Sequence, residues 1–208
     1  MDTPTTTPVP PTFKPMTLAL AGLGLALTAV VPLLFAQLPP AFQVWNLSVI
    51  GALALFAAAR LGFWPGVAFV AVAIVLKDLC VYFTTSWWEP YPLSWVYFTV
   101  YVLIGWAVLR RSVSSGRVAV TALGTSMGFF FVSNFVSWLE QAQPYGYSLQ
   151  GLMDCYAAGI PFFRGTLLGD IAFSGALFGA HLALSRAYFP NERVGAVPAQ
   201  LQETEENW

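Results

Sequence analysis

From Met16 to Ala36 the chain is apolar almost without interruption and shows no polar face. About twenty such residues in a row is the pattern of a helix that crosses a bilayer. Five further segments repeat it: Phe42 to Ala59, a run after Gly62-Phe63-Trp64-Pro65 that reaches Thr85, Leu93 to Leu109, Val118 to Leu139, and Arg164 to Tyr188. A loop with Pro144 and Gly146 leads into an amphipathic piece from Ser148, which Pro161 is expected to break before the last span. The pattern therefore predicts an all-α integral membrane fold of six transmembrane helices over residues 16–188. A Thr- and Pro-rich cytoplasmic tail, residues 1–15, is expected to be disordered, and residues 189–208 read as a flexible acidic cytoplasmic tail. The first run is longer than a secretory core and only Lys14 precedes it, so it reads as a span and not a cleaved leader.

Composition sharpens the class. The 208 residues are 57% hydrophobic and 9% charged, where a soluble domain carries about a quarter charged residues. So few charges would not cover the surface of a water-soluble globule. The formal net charge of −1 gives no reason to invoke nucleic acid. Cys80 and Cys155 both fall in apolar sequence and read as small buried residues, and a single histidine argues against a metal site.

Lys and Arg sort by side. With the amino terminus inside, the inner segments hold Lys14, Arg60, Arg110, Arg111, Arg117, Arg186 and Arg193, and only Arg164 falls near an outer loop. That asymmetry fits six spans with both termini in the cytoplasm. Lys77 remains as an intramembrane cation.

Depth then groups the polar residues. At about 1.5 Å of rise per residue, Lys77 and Asp78 lie roughly 10 Å from the outer edge and Asp170 roughly 9 Å. Asn46 is expected in the first turn of span two, with Asn134 and Trp138 in the last turns of span five. Ionisable groups at such depth mark functional sites by default and have partners on neighbouring helices. Lys77 and Asp170 read either as an ion pair that fixes helix register or as ligand contacts. Asn46 and Asn134 read as contacts or as interhelical hydrogen-bond glue. His181, on the inner half, reads as a packing residue. The candidate wall comprises Asn46, Lys77, Asp78, Asn134, Trp138, Tyr156, Phe162, Arg164 and Asp170, a cavity open to the outside. Gly124/Gly128, Gly175/Gly179 and Gly22/Ala26 are small-xxx-small pairs that permit close helix approach.

Several strings are familiar: Asn46 through Phe56, Lys77-Asp78, Phe129 through Asn134 with Trp138, Gly151 through Tyr156, Ile160 through Phe163, and Gly169-Asp170. Together they resemble an uncharacterised family of small bacterial six-helix membrane proteins over about residues 40–182. That family is similar in fold to the substrate-binding S components of energy-coupling-factor transporters, which take up vitamins and related micronutrients. The resemblance implies an S-component-like bundle in the bacterial cytoplasmic membrane with a pocket near the outer face. It also implies that Gly22 and Ala26 contact a transmembrane coupling subunit, itself driven by ATPases.

Three functions follow as expectations. The first is a small-molecule binding subunit of an uptake transporter. The chain has no Gly-x-x-x-x-Gly-Lys-Ser/Thr loop, so energy would come from other subunits and no cofactor is called for. The second is a structural or assembly subunit whose polar band only sets register. The third, an intramembrane protease with Asp78 and Asp170 sharing a proton, is disfavoured by Lys77 beside Asp78, and the chain is not expected to be an enzyme.

Overall fold

The structure is a computed structural model that describes residues 14–39, 44, 46–85, 91–111, 113–140 and 142–193. Within these, every regular element is helical. The helices are α1 (Pro15–Ala36), α2 (Ile50–Leu61), α3 (Phe63–Thr85), α4 (Leu93–Ile104, continued by a π-helical turn over Gly105–Leu109), α5 (Ser115–Glu140), α6 (Ala142–Tyr145) and α7 (Leu149–Ala187). Four of them, α1, α3, α5 and α7, are long and apolar enough to cross a membrane, while α2 and α4 with its π turn are shorter apolar helices. The chain is therefore of the multi-pass membrane type.

The hub is α2. Its sequence, Ile50 to Leu61, is Ile, Gly, Ala, Leu and Phe apart from Arg60 in the last turn, and every residue from Ile50 to Arg60 is buried. A helix apolar all round has to be wrapped by others, and α1, α3, α4 and α7 all pack on it. Close approach rests on small residues: a Cβ on Gly66 of α3 would lie 2.9 Å from Ala58 Cα, and one on Gly105 would lie 2.8 Å from the Leu55 backbone. At 12 residues α2 rises only about 18 Å, so the span expected from Phe42 to Ala59 is corrected. Asn46 does not open a helical turn. It precedes the helix with a left-handed φ of 58°, a conformation Asn tolerates better than most residues. Ser48 Oγ then accepts the Ile50 amide at 3.2 Å.

Pro161 does not break the chain either. Leu149 to Ala187 is one 39-residue helix with Pro161 inside it, about 58 Å long and nearly twice the hydrocarbon thickness. Ser148 caps its start, accepting the Gly151 amide at 3.0 Å. The proline forgoes one backbone hydrogen bond, and α5 packs along its side of α7 and holds the helix in line. Rings interlock across that seam, with the Phe130 and Phe163 centroids 4.7 Å apart. The separate amphipathic segment thus merges into α7, and Asp170 falls near the helix midpoint instead of close below its mouth.

At the other end of the bundle, Pro190–Glu192 forms a 3-10 turn in which Glu192 is buried. The carboxylate accepts Met16 N and Thr17 N at 2.9 Å each and Thr17 Oγ1 at 2.6 Å. A carboxylate on exposed first-turn amides satisfies the start of α1 and complements its dipole. These first residues of the expected acidic tail are packed. Residues 1–13 and 194–208 of the two expected tails lie outside the described residues.

Candidate functional site

Asp170 is the only described carboxylate enclosed in the middle of the bundle, at 2% exposure. Gly169 lets the α7 backbone rest against that of Ser48, where a Cβ would overlap the Ser48 carbonyl. This close crossing delivers the Asp170 side chain to α2 at Gly51. Tyr101 of α4 donates to Asp170 Oδ2 at 2.9 Å, and Ser126 of α5 donates to the same oxygen at 2.6 Å. Four helices thus meet at one carboxylate. Both hydrogen bonds end on Oδ2, which leaves Oδ1, beside Gly51, as acceptor capacity that no described donor takes up.

The carboxylate stands in the wall of a cavity of about 530 Å³. Thr28, Pro32 and Phe35 of α1, Asn46 and Ser48 before α2, Lys77 of α3, Phe98 of α4 and Phe129 of α5 complete most of the wall. A second cavity of about 230 Å³ adjoins it, lined by Ser133, Asn134, Ser137 and Phe162 and sharing Asn46, Phe129 and Thr166 with the first. Asn134 Nδ2 donates to Phe130 O at 2.8 Å, and its Oδ1 faces Gly159 so closely that a Cβ there would overlap it.

Of the nine residues expected at the wall, Asn46, Lys77 and Asp170 line the larger cavity, and Asn46, Asn134 and Phe162 line the smaller. The other four line neither. Asp78 forms an ion pair with Lys77 at 2.6 Å, so Lys77 is matched by its sequence neighbour and not by Asp170. Trp138 Nε1 donates to Gly146 O at 2.9 Å and fastens the turn between α5 and α7. Tyr156 donates to Phe131 O at 3.0 Å. Arg164 is exposed on α7. Trp138 sits about three turns beyond Ser126 on α5 and Tyr156 about four turns before Asp170 on α7, whereas Arg164 lies between the lining residues Phe162 and Thr166 but on the exposed face of α7. Asn134 likewise sits two turns above Ser126 on α5, so the polar groups occupy two tiers joined at Asn46 instead of one band.

Sequence reasoning did not find Tyr101 and Ser126. Both are hydroxyls within apolar runs; counting depth puts Tyr101 about 12 Å below the outer edge, near Asp170, but Ser126 about 20 Å below it, so the register shift of α7 hides that partner.

The small pairs face outward. Gly22 and Ala26 are exposed on α1, and a Cβ on Gly22, Gly124, Gly128, Gly175 or Gly179 would meet nothing within 4 Å.

No curated protein and no solved structure matches this chain. The model of DUF6580, a family of unknown function, matches residues 11–196, and the chain belongs to that family.

Proposed function

We propose that the chain is a membrane-embedded small-molecule binding subunit of an uptake transporter in the bacterial cytoplasmic membrane. In this reading α2 and α4 complete six membrane segments, both termini are cytoplasmic, and the Asp170 cavity opens toward the outside. The observation that carries the reading is the hollow itself: about 530 Å³, within the range of pockets that enclose vitamin-sized ligands, with a buried carboxylate at its base. Its wall joins apolar and aromatic side chains to a polar set that includes Asn46, Ser48, Lys77, Thr166 and Asp170, a division between affinity and orientation. Asp170 Oδ1 selects a ligand with a hydrogen-bond donor, such as an amine, amide or ring N–H. Lys77, paired with Asp78, adds no net charge, so the site suits a neutral or cationic ligand better than an anion. Energy comes from partner subunits, and the exposed Gly22 and Ala26 of α1 offer a coupling subunit a smooth face.

Native mass spectrometry of the purified chain tests this. A co-purifying small molecule is expected, and it should be absent from Asp170→Asn protein that still unfolds cooperatively. If the wild type carries nothing and vitamin-class compounds do not raise its unfolding temperature, the reading fails, and a structural subunit docking through its outward glycines is the better account.

A further inference from the structure

A cavity larger than that beside Asp170 lies at the opposite end of the bundle, about 690 Å³ between α2, α5 and α7. Arg60, in the last turn of α2, lines it and is itself only 8% exposed. Its guanidinium donates no hydrogen bond to any described residue, and Nε is fully enclosed without a partner. Its Cζ lies over the Phe178 ring, 5.5 Å from the centroid. A buried guanidinium whose Nε–H goes unmet, and which has no ion-pair partner among the described residues, is costly unless an anion answers it.

The surroundings add charge of the same sign. Arg186 and Arg193 line the rim of the same cavity. Arg193 is fixed there because Nε donates to Ser185 O at 3.1 Å and Nη2 to Arg186 O at 2.8 Å. Lys14 Nζ reaches Arg60 O at 3.0 Å. Across the cavity stands the start of the 26-residue α5, whose cap Ser114 accepts the Arg117 amide at 3.2 Å and whose remaining first-turn amides face no intrahelical acceptor. Glu192 is the one described carboxylate at this end, and its oxygens are turned to Met16 and Thr17.

We propose that this cavity binds a phosphate group, with Arg60 as the buried anchor and Arg186 and Arg193 as rim contacts. The wall continues along α7 past Ile171, Gly175 and Gly179, an apolar groove that accommodates an acyl chain, so the phosphate of an anionic phospholipid fits both halves of the site. Basic pockets between membrane helices hold such head groups in this way. The inference is independent of what the Asp170 cavity binds.

Full-length protein is to be reconstituted in vesicles of phosphatidylglycerol with phosphatidylcholine, or of phosphatidylcholine alone, then released for native mass spectrometry. In parallel, its thermal unfolding in neutral detergent is compared in inorganic phosphate and in chloride at equal ionic strength. Retention of phosphatidylglycerol that falls about tenfold in Arg60→Gln, as loss of a charge-assisted contact requires, identifies a lipid phosphate. Stabilisation by inorganic phosphate alone, lost in the same variant, identifies a soluble one. Arg186→Gln, an exposed change that leaves the fold intact, should weaken whichever binding is seen severalfold. If the wild type prefers neither phosphate source over its control, or if both variants retain wild-type binding, the proposal is overturned.

Discussion

Gly51 of α2 leaves the space that the Asp170 carboxylate of α7 occupies: a Cβ added there would overlap Oδ1 and lie 2.8 Å from the Tyr101 ring. Both neighbours are buried and bonded to each other, so either can yield only by disturbing that hydrogen bond. Gly51→Ala should therefore lower stability by about 1–3 kcal/mol, the usual range for overpacking. Gly22→Ala is the control. It meets nothing within 4 Å, and in a helix it should be neutral or stabilising by up to about 1 kcal/mol. Thermal unfolding in detergent separates the two, and equal shifts would mean that the Gly51 contact is not tight.

Tyr101 and Ser126 share one acceptor, Asp170 Oδ2. Removing either donor leaves a buried carboxylate with a single hydrogen bond, so Tyr101→Phe and Ser126→Ala should each cost about 1.5–3 kcal/mol, the range for bonds to charged groups. Because both act on the same oxygen, the double variant should depart from additivity by at least about 0.5 kcal/mol. Strict additivity in a double-mutant cycle would show that the two hydroxyls do not serve one carboxylate.

Periodicity and composition alone made the helical class and the membrane setting legible, because an apolar run of twenty residues has few other uses. Asp170, Asn46, Asn134 and Lys77 were legible as wall residues since polar groups are scarce in apolar sequence and depth can be counted. The registers were not. Whether Pro161 ends a helix depends on what packs beside it, and the α5 flank that sustains α7 is a tertiary fact. The brevity of α2 was hidden in the same way: Gln43, Asn46 and Ser48 are scattered among apolar residues from Phe42 to Ala59, and an asparagine fits a helical turn as well as a left-handed one. The charge asymmetry places Arg60 among the inner cations, and only packing shows that the bundle closes over it.

Lys77 and Asp78 are paired but not equally enclosed, their side chains being 36% and 14% exposed. The cost of losing a partner falls on whichever group remains, and it is larger where water is farther away. Lys77→Met, which strands the more enclosed carboxylate, should thus destabilise by about 1–3 kcal/mol, while Asp78→Asn should cost under about 1 kcal/mol. Ligand retention should follow the same order, because Lys77 lines the cavity and Asp78 does not. Identical unfolding temperatures for the two variants would show that the pair is solvated at both ends.

Glu192 joins the chain's two ends, and its titration should be visible in stability. Burial alone would raise its carboxyl, but hydrogen bonds from the Thr17 hydroxyl and from the Thr17 and Met16 amides outweigh that and hold it below its ordinary value, with His181 adding a small effect in the same direction. A group whose pKa is lower in the folded chain binds its proton more readily when unfolded, so its contribution is complete above the unfolded value of about 4.3 and is lost as pH falls through the folded one. Wild-type protein should accordingly unfold at a higher temperature than Glu192→Gln at neutral pH. The gap should narrow as pH falls from about 4.3 through the lowered folded value, below which both chains carry a neutral side chain on the α1 amides. A gap that stays constant down to the lowest pH at which the protein folds would mean that the carboxylate's charge does not hold the first turn of α1, and that the packing of the Pro190–Glu192 turn does.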